Sequence, residues 1–241
     1  MSAEPTPEDR FEPDFGREDR PPCQLYLVSP PSFELARHAE ALKAALGAGG
    51  PIAAYQLRMK PAAPGPLGPR GGANDDEVLR AAEILLPICQ AADVAFILND
   101  RMDLAKACGA DGVHLGQSDG DPRAARNLLG RDAQIGVTCH ASRHLAMEAG
   151  EAGANYVAFG AFFPTDTKAV EHRAEPDILN WWTAISPIAC VAIGGITATN
   201  AAPLVAAGAD FLATSSAVWQ AADGPAAGVR SFESALRSSQ R

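Results

Sequence analysis

The chain has 241 residues, 47% of them hydrophobic, enough to bury one large core or two small ones. A formal net charge of −9, with 6% aromatic residues and no basic stripe, argues against a nucleic-acid binder, so an anionic ligand must be held by local donors or a metal. The cysteines Cys23, Cys89, Cys108, Cys139 and Cys190 show no CxxC pairing, and the sequence contains neither a signal-like N-terminus nor an apolar run of membrane-spanning length, which leads us to expect a cytoplasmic protein without zinc or disulfide framework.

Residues 1–22 carry Glu, Asp, Arg and Pro with almost no apolar side chains and read as a disordered acidic, Pro-rich tail; residues 23–241 read as the folded domain. The first strand is expected over 25–28, followed by a helix opening at Pro31-Ser32 and running to about Leu46, and a second strand over 52–57. Residues 61–73 are dense in Pro and Gly. That composition suits a mobile lid or a linker, and the surrounding periodicity favours the lid. A helix over 74–91 has Asn74 or Asp75 as cap and Val78, Ala81, Ala82, Leu85 and Leu86 on one face, with Pro87 as a candidate kink.

The rhythm then repeats: strand 94–98, short helix 102–108, strand 112–115, helix 122–129, strand 134–138, helix 142–152, strand 155–159 and helix 177–185. Cys190 to Ile193 is short and apolar, as a strand buried on both faces should be, and Gly194-Gly195 end it. A helix capped by Thr199 or Asn200 is expected to end near Gly208, ahead of a last strand over 210–214 that runs into Ser215-Ser216. Helical sequence over 218–236, interrupted at Gly224-Pro225, completes the chain. Eight β-then-α units imply a (β/α)8 barrel, with a doubly wound open sheet as the competing architecture. The turns Cys-Gly-Ala-Asp at 108–111, Ala-Gly-Ala-Asn at 152–155 and Ala-Gly-Ala-Asp at 207–210 repeat one helix-to-strand device and favour the barrel.

Polar residues collect at the C-terminal strand ends, the active-site face of such a barrel. Gln56, Arg58 and Lys60 alternate after strand two, so that two cations and an amide converge, a pattern suited to phosphate or diphosphate. Asn99 and Asp100 follow strand three, Gln117 and Asp119 follow strand four, and Thr138 ends strand five. Asp100 and Asp119 form a minimal Mg²⁺ pair or, alternatively, two helix caps. Thr165, Thr167 and Lys168 follow strand six; Gly194-Gly195 and Ser215-Ser216 after strands seven and eight offer backbone donors to a phosphate, the alternative being simple tight turns. His140, His144 and Glu148 have a spacing that permits metal binding on a helix face, although surface helices often carry such residues. His114 lies inside strand four and reads as a hydrogen-bonded core or site-wall residue. No nucleophile–base constellation is evident, and nothing marks Cys139 as reactive.

The segments QLRMK (56–60), ND (99–100), DGVHLGQSD (111–119), FGAFFPTDTK (159–168), AIGGIT (192–197) and SSAV (215–218) together resemble the thiamine phosphate synthase family over nearly the whole chain after the tail. The resemblance implies condensation of hydroxymethylpyrimidine diphosphate with hydroxyethylthiazole phosphate to give thiamine phosphate and diphosphate, by a dissociative route through a pyrimidine-methyl cation. It implies that Gln56, Arg58, Lys60, Asn99 and Lys168 hold the pyrimidine diphosphate, that Asp100 and Asp119 bind Mg²⁺, and that Thr165, Thr167, Gly195 and the Ser215-Ser216 backbone hold the thiazole phosphate. It also implies a homo-oligomer, with a dimer as the expected form. The chain departs from the family pattern at Thr138, where Ser is usual, at Arg101, where a further acidic residue is common, and at Ser215, where an aliphatic residue is usual. The competing readings are a thiazole tautomerase of the same fold, in which His140 would act, and a non-catalytic barrel that binds thiamine phosphates.

Overall fold

A computed structural model describes residues 20–59, 74–164 and 173–238. Eight parallel strands close into one barrel in sequence order: β1 (Gln24–Val28), β2 (Ile52–Leu57), β3 (Ala95–Asn99), β4 (Gly112–Leu115), β5 (Gln134–His140), β6 (Tyr156–Gly160), β7 (Ala189–Ile193) and β8 (Phe211–Thr214). Closure is made by β1 on β8, with Gln24 opposite Phe211 and Leu27 opposite Thr214. The helices between them are α1 (Leu35–Leu46), α2 (Asp75–Ala91), α3 (Met102–Cys108), α4 (Pro122–Leu129), α5 (Arg143–Glu151), α6 (Asp177–Ile185), α7 (Ala202–Ala206), α8 (Ser216–Trp219) and α9 (Pro225–Ser238).

Strand alternation divides the apolar residues into two layers. Tyr55, Leu57, Phe96, Leu98, Val113 and Phe159 pack outward under the helices, while Tyr26, Val28, Ile97, Tyr156, Val191 and Ala213 fill the barrel interior. The open-sheet alternative is thereby excluded, since a doubly wound sheet has free edges and this one has none.

Local chemistry accounts for where elements start and stop. Asn74 and Glu77 form a reciprocal capping box on α2, and Pro87 is carried inside that helix. The helix expected from Pro31-Ser32 begins only at Leu35, because the Glu34 carboxylate takes the backbone N–H groups of Ala36 and Arg37 and fixes the start there. Neither Thr199 nor Asn200 caps α7; the Asn200 amide instead accepts from Thr197 N and donates to the Gly195 carbonyl, tying the loop after β7 together. At the N-terminal end of the barrel Arg20, assigned from composition to the tail, donates from Nη1 to both carboxylate oxygens of Asp210 and from Nη2 to the Ser186 carbonyl. Asp210 in turn accepts from Cys190 N at 2.7 Å, so this carboxylate organises the lower ends of β7 and β8.

Candidate active site

The C-terminal mouth of the barrel gathers the polar residues of four consecutive strands on one arc. Gln56 is the penultimate residue of β2 and Arg58 follows the strand; Asn99 ends β3 and Asp100 follows; Gln117 and Asp119 lie in the loop after β4; Thr138 lies near the end of β5. The opposite arc carries Gly194-Gly195 after β7 and Ser215-Ser216 after β8. Lys60, Thr165, Thr167 and Lys168, and the lid assigned to 61–73, lie outside the described residues.

Arg58 has the most telling environment. Its Nη1 is buried and has no hydrogen-bond partner among the described residues. Burial holds the guanidinium below its usual range, and the charge of Asp100 opposes that shift. Its backbone N–H donates to Ser29 Oγ at 2.9 Å, and Ser29 N donates to the Gln56 carbonyl, so β1 fixes where the arginine leaves the strand. Ser29 was not predicted from sequence; its only linear signal is a polar residue directly after an apolar strand.

Asp100 adopts a left-handed backbone (φ 66°) and gives its N–H to the His114 carbonyl at 2.7 Å, turning sharply out of β3. It does not cap α3, whose N-cap is Arg101 without a side-chain cap bond. Asp119 does not cap α4 either: that role falls to Asp121, while Asp119 Oδ2 accepts from Gly116 N at 2.9 Å. The capping alternative for the two carboxylates therefore fails. Arg101 turns away, pairing with Asp75 at 2.7 Å and Asp103 at 2.7 Å on the surface. Among the described residues no group of three or more His, Cys, Asp or Glu side chains could hold a metal. Two hard carboxylates on adjacent loops are still a suitable set for Mg²⁺, an ion that keeps waters and substrate oxygens as its other ligands.

Beneath the mouth lies an unbroken chain of hydrogen bonds. Gln56 Nε2 donates to Tyr26 Oη (3.0 Å), Tyr26 Oη meets Tyr156 Oη (2.8 Å), Tyr156 Oη meets His114 Nδ1 (3.1 Å), and His114 Nε2 meets Thr138 Oγ1 (2.8 Å). Burial pushes the His114 imidazole down to about 4, Arg58 pushes the same way, and Asp119 opposes both. His114 is thus a neutral, hydrogen-bonded wall residue. Gln117 reaches over to donate to the Thr138 carbonyl.

The two glycines after β7 serve close packing. Gly194 (φ 104°) and Gly195 (φ 62°) lie so near the loop after β6 that a Cβ on Gly195 would fall 2.2 Å from the Pro164 carbonyl oxygen. Ser215 Oγ points to the Ser29 carbonyl at 3.5 Å.

Other sequence candidates are not brought together. β5 runs on to His140 with an irregularity after Thr138, and α5 starts only at Arg143, so His140 shares no helix face with His144 and Glu148, which pair with each other at 3.4 Å. Burial raises the Cys139 thiol to about 12, which makes it a poor nucleophile. A cavity of about 610 Å³ opens at the other end of the barrel, but Asp93, Asp111 and Asp132 line it, the wrong charge for a phosphate.

The sequence family described as thiamine monophosphate synthase matches residues 25–218, which spans every strand of the barrel but the first residue of β1. The chain belongs to the thiamine monophosphate synthase family. Among its relatives, the thiamine-phosphate synthase of Rhodospirillum centenum is 54% identical over 215 residues, covering 89% of this chain and 98% of that one. The thiamine-phosphate synthase of Erythrobacter litoralis is 55% identical over 201 residues, covering 82% and 89%. Among solved structures, thiamine phosphate pyrophosphorylase from Pyrococcus furiosus superposes with a TM-score of 0.73 at 28% identity, over 90% of this chain and 97% of that one. Orotidine 5′-phosphate decarboxylase from Pyrococcus horikoshii, at 14% identity and TM-score 0.61, shares the barrel alone. No helix among the described residues is long and apolar enough to cross a membrane.

Proposed function

We propose that this barrel mouth carries out thiamine phosphate synthesis by transferring a pyrimidine-methyl group from hydroxymethylpyrimidine diphosphate to the ring nitrogen of hydroxyethylthiazole phosphate. The carbon–oxygen bond to the diphosphate breaks, the diphosphate leaves with that electron pair, and the thiazole nitrogen donates its own pair to the resulting cation. Such a reaction needs charge stabilisation and alignment rather than a covalent nucleophile, and the cation of Arg58 beside the carboxylate of Asp100, with that of Asp119 on the adjacent loop, supports that reading.

The observation that carries the reading is the buried Nη1 of Arg58, which has no hydrogen-bond partner among the described residues and is held beside the Asp100 charge in a chain of this family. A diphosphate oxygen would satisfy it. Around that anchor we assign Gln56, Lys60, Asn99 and Lys168 to the pyrimidine diphosphate, with Gln117 and Thr138 as the wall beside it. Thr165, Thr167, Gly194, Gly195 and the Ser215-Ser216 backbone are assigned to the thiazole phosphate. The carboxylates of Asp100 and Asp119 would hold Mg²⁺, which when bound neutralises charge on the diphosphate. A homodimer in the cytoplasm is the setting we infer from the family.

Titration with magnesium diphosphate tests the assignment directly. The wild-type protein is expected to bind it, and Arg58→Ala to lose at least about tenfold in affinity, the cost of one charge-assisted contact. Equal affinities in the two proteins would remove Arg58 from the site.

A further inference from the structure

The hydrogen bonds inside the barrel have a direction that their distances alone do not state. The Gln56 amide nitrogen has only protons to give, so Tyr26 Oη is an acceptor at that contact and its own proton is left for Tyr156 Oη. Tyr156 Oη, already accepting, then gives its proton to His114 Nδ1. A neutral imidazole that accepts at Nδ1 carries its proton on Nε2, and that N–H points at Thr138 Oγ1. The threonine hydroxyl is then an acceptor on its inner side and keeps its own proton for whatever lies in the mouth. Every member of the chain except the half-buried Thr138 is buried, so water does not compete for these partners.

The fold makes room for this arrangement at a definite place. A Cβ on Gly136 would fall 1.9 Å from Tyr156 Cζ and 2.3 Å from its Oη, so the strand beside β6 must carry glycine for the ring to reach His114. The Tyr156 ring stacks on the His114 imidazole with centroids 5.6 Å apart and planes 25° from parallel, which holds the imidazole's orientation.

We infer that Tyr26 and Tyr156 are positioning residues of the synthase: they lock His114 as the Nε2–H tautomer and thereby make the Thr138 hydroxyl an obligatory hydrogen-bond donor toward the bound pyrimidine diphosphate. The inference rests on the proposed function only for the identity of what receives that proton. A donor aimed at an oxygen that gains negative charge as the carbon–oxygen bond breaks favours the transition state over the bound substrate. Loss of the lock should therefore lower kcat more than it raises KM.

The test is the imidazole ¹⁵N–¹H correlation spectrum of the full chain, with the His114 signals assigned by their loss in His114→Gln. The wild type should show His114 protonated at Nε2 and unprotonated at Nδ1. In Tyr156→Phe, where Nδ1 loses its donor, the Nδ1–H tautomer should become populated, with kcat down about tenfold and KM within about twofold. Tyr26→Phe, which breaks the chain one step earlier, should give a smaller shift in the same direction and serves if Tyr156→Phe does not fold. Nδ1–H in the wild type overturns the inference, as does an unchanged tautomer in both variants. Because the spectrum needs no turnover, the two readings fail separately: an Nε2–H signal in a protein with no synthase activity would sink the function and leave the lock intact.

Discussion

A buried polar nitrogen left unpaired costs about 1–3 kcal/mol, and more where the group is charged, so such a group calls for an explanation that a ligand can supply. Among the described residues Arg58 Nη1 is in that position. Replacing it with alanine should lower kcat/KM by about a hundredfold or more, and lysine should restore only part of the loss because a point charge cannot reproduce the planar fork. Steady-state kinetics of the two variants checks this, and full activity in Arg58→Lys would show that charge alone suffices. Asp100→Asn should weaken Mg²⁺ activation, read as a shift of the Mg²⁺ titration of rate to higher concentration with little change in thermal stability. Position along the chain made the placing of this arc legible, since parallel barrel strands all end on one face, but it does not separate Ser29, which braces β1 against β2, from the residues assigned to substrate. Tyr26 and Tyr156 were not legible in the same way. Each is an ordinary tyrosine in an apolar strand, and the partner that gives it meaning lies 130 residues away.

At the scale of elements, glycine positions decide which strands and loops can meet. Gly136→Ala should cost about 1–3 kcal/mol in urea unfolding, since its methyl enters the space of the Tyr156 ring and the neighbouring strand must shift. Stability equal to wild type would mean that β5 and β6 adjust without cost. The sequence pattern places most elements within a residue or two, because apolar runs bounded by Gly, Pro or a cap residue have few competing readings. It fails where a side chain has two uses. Asn200 looks like a helix cap and instead braces the Gly195 loop, and Glu34, a less usual cap, sets the start of α1. The extension of β5 to His140 was hidden for another reason: it depends on an irregular pairing with β6, which no local pattern encodes.

Across the whole molecule two buried histidines link stability to pH. His38, bonded to Tyr55 Oη at 2.9 Å, and His114 are each pushed down to about 4 by burial. Between pH 6.5 and 4 the unfolded chain therefore binds more protons than the folded one, so stability should fall as pH is lowered through that window. The loss should be on the order of 3 kcal/mol for each histidine by the end of it. Urea unfolding at pH 7 and at pH 4.5 measures the difference, and His38→Gln should reduce it by about half; a variant with the wild-type pH dependence would show that His38 does not titrate in this way. The barrel itself was legible because eight β-then-α units leave little other way to bury every strand on both faces, whereas closure of β1 on β8 joins residues almost 190 positions apart and emerges only in three dimensions. Synthase activity at this mouth is decided by diphosphate release from the purified protein with the pyrimidine diphosphate, the thiazole phosphate and Mg²⁺, omitting each in turn. Release is expected only when all three are present, with thiamine phosphate formed in equal amount; release without the thiazole phosphate, or none from the complete mixture, would rule the synthase site out.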